Sequence, residues 1–518
     1  MTDPASRSSA TKWHRYLRIY VLLVFGLPAI ACVIAAGLAV DGLHNVDSTA
    51  LSRAGKESLH FFQNPANLLV VTSASIISVV LSLLVAWVIH TRNLRFKILL
   101  ICLFLMPQAL PYEAITWIAR TIPSPPIPLA TYVLVYRYMP ICLVFSYLSV
   151  SRFSHDILMV AQSLGLSESQ IIKNRVIPNI LSAIIAQFLF VLMIMATDNV
   201  GMSYSSGGQL TGLGNVINDW SKTTDNRAIA YALTFVVAIV GAIAAGGANV
   251  LGWWRASIRG KRKELFQRRR SVAVWPLWAL AVLIGGTPLA VSLSHYSEMN
   301  GKLMPFLAAI SLITAPTVIY LAVGIFLSAG SALVIYLVVQ QRETRPPSGA
   351  LSVAVAISMF GLLIPPVMRG DFFVTPTSYL FQSAGSAGWA AFWMWVTLFP
   401  AIAALAALHP VSRNNRFQSV LENAGVRPGR RLMLSIGHAH PALLGAALLW
   451  LFFALFDTSV SRSTAGSDRP FGVWFRDQIS TTYDPGFIAT GVVISYLLAL
   501  LLGMATLLFA ISRRSNVR

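Results

Sequence analysis

The chain has 518 residues, 56% of them hydrophobic and only 11% charged, and a net charge of +20. A soluble protein carries about 25% charged residues, so this composition excludes an ordinary soluble enzyme. It points instead to an all-α polytopic membrane protein. The basic surplus is explained by topology below and calls for no nucleic-acid partner.

Spanning the hydrocarbon takes roughly 20 apolar residues in a helix. Twelve stretches qualify: 18–40, 68–90, 97–118, 129–150, 180–201, 228–252, 273–293, 315–340, 351–368, 388–408, 441–457 and 487–511. The run 303–340 is read as one span from 315, preceded by an interfacial piece. The first stretch is too long for the apolar core of a signal peptide, and removing it spoils the loop parity. With both termini inside, the cytoplasmic loops hold 28 of the 39 Lys and Arg residues but only 6 of the 19 acidic ones. That is the positive-inside pattern, and it predicts a cytoplasmic-membrane protein with cytoplasmic termini. The cluster "RGKRKELFQRRR" (259–270) is then mainly an anchoring loop, with anionic lipid a second reading.

Twelve spans divide as six plus six, 1–260 and 261–518. Pro107 and Pro366, like Asp198 and Asp457, stand 259 residues apart. Pro140 and Pro400, like Gly165 and Gly425, stand 260 apart. Four pairs in one register argue for an internal duplication. Both halves start inside, so the repeats are parallel, with a pathway expected between them.

The loop 151–178 has more order than a connector needs. Ile157, Ala161 and Leu164 fall at helical spacing. Gly165 stands where a helix needs a left-handed residue to stop. Ser167 and Gln170 form a capping box for a second helix. Pro178 is expected to mark the junction with the fifth span. A helix-turn-helix with no partner in its own chain suggests docking into another protein's groove.

The run "MVAQSLGLSESQIIKNRVIP" (159–178) resembles the EAA motif of ABC-importer permeases: Glu-Ala-Ala, three residues, Gly, nine residues, Ile-x-Leu-Pro. Ala161 takes the second Ala position, Gly165 the Gly, Ile177 the Leu and Pro178 the Pro. Met159, Val160 and Arg175 depart from it. The second copy, "SVLENAGVRPGRRLMLSIGHAHP" (419–441), keeps Ala424 and Gly425. Its Glu422 comes three positions late, and His438 stands where the Pro is expected. Pro428 and Gly429 are expected to break its second helix early. Upstream, Arg137 and Pro140 in "YRYMPICLVFSYLSVSRFSHDI" (136–157) resemble the fourth span of iron(III)-, thiamine- and polyamine-type permeases.

The resemblance implies a fused type I importer permease. Loops 151–178 and 409–440 would dock two ABC ATPase subunits, and loops 199–227 and 458–486 an extracytoplasmic solute-binding protein. The chain has no G-x-x-x-x-G-K-[ST] loop of its own, so ATP–Mg belongs to the partner ATPase. This chain is expected to need no cofactor and to catalyse no reaction. Iron(III), thiamine, a polyamine or a small organic anion all remain open as substrate. The rival reading is a secondary, ion-gradient-driven transporter of six plus six spans.

Ionisable groups at membrane depth are costly, so each needs an account. Glu113 and Arg120 share a helix face, and Arg137 lies in the next span. A structural ion pair between Glu113 and one of these arginines is the favoured reading, a gate or substrate contact the other. Asp198 and Asp457 read as helix-end caps ahead of a pathway role. Pro107, Pro111, Pro365 and Pro366 are expected to break spans three and nine, with Met106 and Leu362 as an apolar gate. His438 and His440 lack further metal ligands and read as interfacial. Cys32, Cys102 and Cys142 read as small buried hydrophobes.

Overall fold

The structure is a computed structural model. It describes residues 47–91, 97–121, 124–150, 163–198, 201–203, 206–222, 227–241, 275–305, 315–341, 387–408, 416–456 and 471–511, with isolated residues between 19 and 37 and at 243, 308, 364 and 368. Among these residues every element is helical. This is what lipid requires, since a helix satisfies its own backbone polar groups.

In chain order the helices are α1 (Ser48–Gln63), α2 (Pro65–Thr91), α3 (Lys97–Leu105), α4 (Tyr112–Arg120), α5 (Pro126–Val150), α6 (Ile177–Ala196), α7 (Leu213–Ser221) and α8 (Arg227–Gly241). Then come α9 (Trp275–Ser294), α10 (Ala315–Gln341), α11 (Ala387–Leu408), α12 (Arg416–Asn423), α13 (Pro428–Phe456), α14 (Phe471–Thr482) and α15 (Pro485–Ile511). Six of the described helices are long and apolar enough to cross a membrane: Pro65–His90, Pro126–Tyr147, Trp275–Ser294, Thr317–Val338, Gly429–Phe456 and Pro485–Ala505. A seventh candidate is the bent pair Leu99–Ala109 and Tyr112–Arg120. Shorter apolar helices cover Gln187–Ala196, Ala228–Gly241 and Gly388–Phe399. Of the twelve expected stretches, 351–368 lies almost wholly outside the described residues, and 18–40 is described only in scattered helical residues.

Two boundaries differ from expectation. The helix expected at 441–457 begins at Pro428 and runs unbroken past Pro441 to Phe456. Pro428 is its first residue, where a missing N–H costs nothing and the fixed φ suits the helix. It therefore starts the helix it was expected to break. Likewise Pro178 marks no junction. The helix entered at Glu168–Ile171 passes through one π turn, Ile172–Val176, directly into α6. The Ile177 N–H reaches back five residues to the Ile172 carbonyl, and this widened turn admits Pro178 without a break.

Packing joins the two halves of the chain. In the N-terminal half, α2, α5 and α6 pack together; in the C-terminal half, α10, α11 and α13 do. Helix α9 of the C-terminal half lies on α3 of the N-terminal half. A Cβ at Gly285 would stand 2.7 Å from the Leu103 carbonyl oxygen, so only glycine permits that approach. Helix α15 also lies on α3, where Gly503 faces Cys102, and Tyr496 bonds Tyr136 of α5 hydroxyl to hydroxyl at 2.6 Å. Phe25 from the first apolar stretch meets Phe399 of α11 edge-on. Polar side chains add hydrogen bonds between neighbours: Gln187 donates to the Cys142 carbonyl at 2.8 Å, and Trp395 to Ser331 at 2.8 Å.

Candidate functional site

Two features set this bundle apart from plain apolar packing: a sharp bend in the third span, and two glycine turns. The bend comes from proline chemistry. After α3 the chain makes a 3-10 turn, Met106–Ala109, then passes Leu110 and Pro111 into α4. The two segments meet at 99°. Pro107 and Pro111 each lack an N–H, so the helical ladder fails at both. This is the break expected of span three. Its counterpart around Pro365 and Pro366, with Leu362, lies outside the described residues.

The carbonyls released at the bend have a partner. Arg137 on α5 donates through Nη1 to the Leu110 carbonyl at 2.7 Å and reaches the Pro107 carbonyl at 3.5 Å. Gln108, buried in the turn, donates back to the Arg137 carbonyl. The guanidinium also lies 4.9 Å from the centre of the Tyr112 ring, a cation–π distance. Arg137 thus satisfies carbonyls of the turn that follows α3. Met106 is buried beneath the same bend.

Asp198 lies just past α6, wholly buried. One carboxylate oxygen accepts the Gly201 N–H at 2.8 Å, the helix-end cap expected of it. The other accepts from Tyr112, and from Tyr138 at 2.9 Å. The two tyrosine hydroxyl oxygens lie 2.8 Å apart. A Cβ at Gly212 would stand 2.5 Å from the Asp198 carbonyl oxygen, so the segment leading into α7 packs directly on the backbone at the end of α6. Three helices and a loop converge on one buried acid. Asp457, its expected counterpart, lies outside the described residues.

The expected pairing of Glu113 is corrected. Its partner is neither Arg120 nor Arg137 but Arg476 on α14, at 3.1 Å, with side chains 18% and 28% exposed. Arg137 is turned toward the carbonyls of the bend, and Arg120 stands at the exposed end of α4. The ion pair therefore joins the two halves of the chain. Trp117 on the same short helix packs against His295 of the C-terminal half at 5.2 Å between ring centres. No local signal marks Arg476 as the partner, since pairs more than 300 residues apart cannot be read from spacing. Tyr112 and Tyr138 are equally silent in the sequence, as buried tyrosines in an apolar chain. Gln108, an amide between two prolines in an apolar run, was a readable signal.

The glycine turns follow the expected chemistry. Gly165 has φ +78° and Gly425 φ +66°, both left-handed. After Gly165, Gln170 accepts the Ser167 N–H at 2.8 Å, while the Gln170 N–H reaches the Ser167 hydroxyl at 3.3 Å. That is the predicted capping box. At Gly425 the Val426 N–H returns to the Leu421 carbonyl at 3.1 Å and the Gly425 N–H to the Glu422 carbonyl at 3.0 Å. The pair of bonds is a Schellman closure. Buried Arg431 locks it, donating to the Val426 carbonyl at 2.8 Å and lying 3.8 Å from Glu422. His438 stacks on Phe417 at 4.2 Å, tying α12 to α13. Ala424, Gly425 and Glu422 are exposed, as are Gly165, Ile177 and Pro178; Ala161 lies outside the described residues. Leu164 and Val420, beside the two turns, are exposed apolar side chains. No family model, no curated protein and no solved structure matches this chain.

Proposed function

We propose that the chain is the fused permease of an ATP-driven ABC importer in a bacterial inner membrane. In this reading twelve spans form two parallel six-span repeats, with both termini cytoplasmic. The observation that carries it is the pair of left-handed glycine turns, 260 residues apart, each standing just ahead of a helix that runs into an apolar span. Each turn is closed by hydrogen bonds made within the loop. Each also leaves an apolar side chain, Leu164 or Val420, exposed. A rigid elbow with an apolar tip suits insertion into a partner's groove. Two ATPase subunits carrying ATP–Mg would take these elbows. A solute-binding protein would sit on the opposite face, over 199–227 and 458–486. ATP binding would tilt the halves and alternate access to a pathway between them, beside the bend at Pro107 and the Glu113–Arg476 pair.

The direct test is crosslinking. A photoreactive label on Leu164→Cys or Val420→Cys is expected to capture a nucleotide-binding ATPase in native membranes, while a label on Tyr483→Cys captures none. Absence of an ATPase from both elbows would overturn the assignment.

One observation favours the second reading, a secondary transporter. A fully buried Asp198 held by two tyrosines beside Arg137 is a group that ion-coupled transport can use. Uptake into vesicles separates the two, since ATP dependence supports the permease and dependence on an ion gradient supports the alternative.

A further inference from the structure

Helix α1, Ser48–Gln63, follows the first apolar stretch and stops one residue before α2. Its N-terminus is capped by Asp47, whose carboxylate accepts the Thr49 N–H at 3.1 Å. At about 100° per residue its side chains divide into three sectors. Ala54, Glu57, Ser58 and Phe61 form one, turned into the protein; Ala54 and Phe61 are buried, and Glu57 accepts the Trp220 indole N–H of α7 at 2.8 Å. Ser52, Arg53, Lys56, His60 and Gln63 form a polar, exposed sector. Between the two lies a third, Leu51, Leu59 and Phe62, which is apolar yet 51%, 55% and 52% exposed.

A water-facing helix has no reason to carry that third sector. The exposed apolar strip also does not end with α1. Beyond Asn64 it continues on α2 as Leu69, Ile76, Val80 and Leu84, all exposed on a helix long and apolar enough to span a membrane. On a membrane-spanning helix such a surface would meet acyl chains. Only Asn64 separates α1 from α2, and by helical register Ser52, Gln63 and the basic Lys56 border the strip on its polar side.

We propose that α1 lies in the plane of the bilayer surface as an interfacial helix. Its Leu51, Leu59 and Phe62 enter the acyl-chain boundary, its Arg53–Lys56–His60 sector meets water and headgroups, and its Ala54–Glu57–Phe61 sector is bolted to α7 through Glu57 and Trp220. The occupant of the apolar strip is lipid. The assignment rests on the membrane nature of the chain and not on the importer reading. It gives α7, and the Gly212 segment packed on the Asp198 backbone, a footing on the membrane surface.

The test uses spin labels on the full chain with its cysteines replaced by alanine, in vesicles of phosphatidylethanolamine and phosphatidylglycerol. Labels at Leu59→Cys and Phe62→Cys are expected to show an oxygen-to-nickel-chelate accessibility ratio several-fold above that at Lys56→Cys, and near that of Leu69→Cys on α2. A ratio at 59 and 62 equal to that at 56 would place the strip in water and overturn the proposal. Exclusion of both reagents would place it against protein and overturn it equally. Should the cysteine-free chain fail to fold, the unaltered chain is treated with a carbene probe dissolved in the bilayer. Labelling of Leu59 and Phe62 without Lys56 supports the proposal, and no labelling at either contradicts it.

Discussion

At the residue scale, the left-handed region is where one side chain decides a conformation. Gly165 and Gly425 occupy it with φ +78° and +66°, and nothing crowds a Cβ at either position. The cost of replacing them is therefore backbone strain alone, on the order of 1 kcal/mol for alanine and more for a β-branched residue. Gly165→Val is expected to uncouple transport while the protein reaches the membrane in normal amount, measured by uptake alongside membrane abundance. Normal transport would remove the turn from the mechanism. These turns were legible because left-handed backbone leaves a mark in the sequence. Ion pairs leave none: Glu113 was visible as a costly group, but its partner had to be Arg476, 363 residues away. That pair, partly exposed, falls between the surface and buried cases. Glu113→Gln, Arg476→Gln and the double variant are expected to show a coupling of about 1–2 kcal/mol in a thermal or denaturant cycle. Additive effects would mean that the halves are not held there.

At the scale of elements, prolines act by position more than by presence. Pro107 and Pro111 break a helix because both fall inside its ladder, and the freed carbonyls need Arg137 and a bend of 99°. Pro428 opens a helix, and Pro178 is absorbed by a π turn. Sequence pattern foretold the break at Pro107 and Pro111 but not the outcomes at Pro428 and Pro178, which depend on position in the helix and on a widened turn. The start of α15 shows a charged counterpart. Asp484 takes the Gly486 N–H at 2.9 Å and the Lys302 ammonium at 2.5 Å. The hydrogen bond from Lys302, then the backbone N–H groups of Phe487 and Gly486, hold its carboxyl below the usual aspartate range. A lowered folded-state value means stability that is fully present above the unfolded value, about 3.9, and lost as pH falls through the folded one. Asp484→Asn is therefore expected to lower the melting temperature by the same amount at pH 7 and pH 5, with the gap closing below about pH 4. A gap that widened in acid would contradict the pairing.

At the scale of the molecule, hydropathy and charge made the helical membrane class legible, because the bilayer constrains composition over whole segments. Six of the expected spans appear as full-length apolar helices, and a seventh as the bent pair. How the halves interlock was not legible. Gly285 lies against the Leu103 backbone, Tyr136 bonds Tyr496, and Phe25 meets Phe399. Each contact joins residues that share no pattern, so it depends on a close approach that only the folded bundle reveals. The interlock gives the importer reading its mechanical sense, since turning the two glycine elbows would move the halves against each other around the bend at Pro107. The most direct test is purification of the tagged full chain from native membranes in mild detergent, with partners identified by mass spectrometry. The account predicts a co-purifying ABC ATPase, retained by the wild-type chain and lost from Gly165→Val. A chain that purifies alone and still transports in reconstituted vesicles without any ATPase would contradict it.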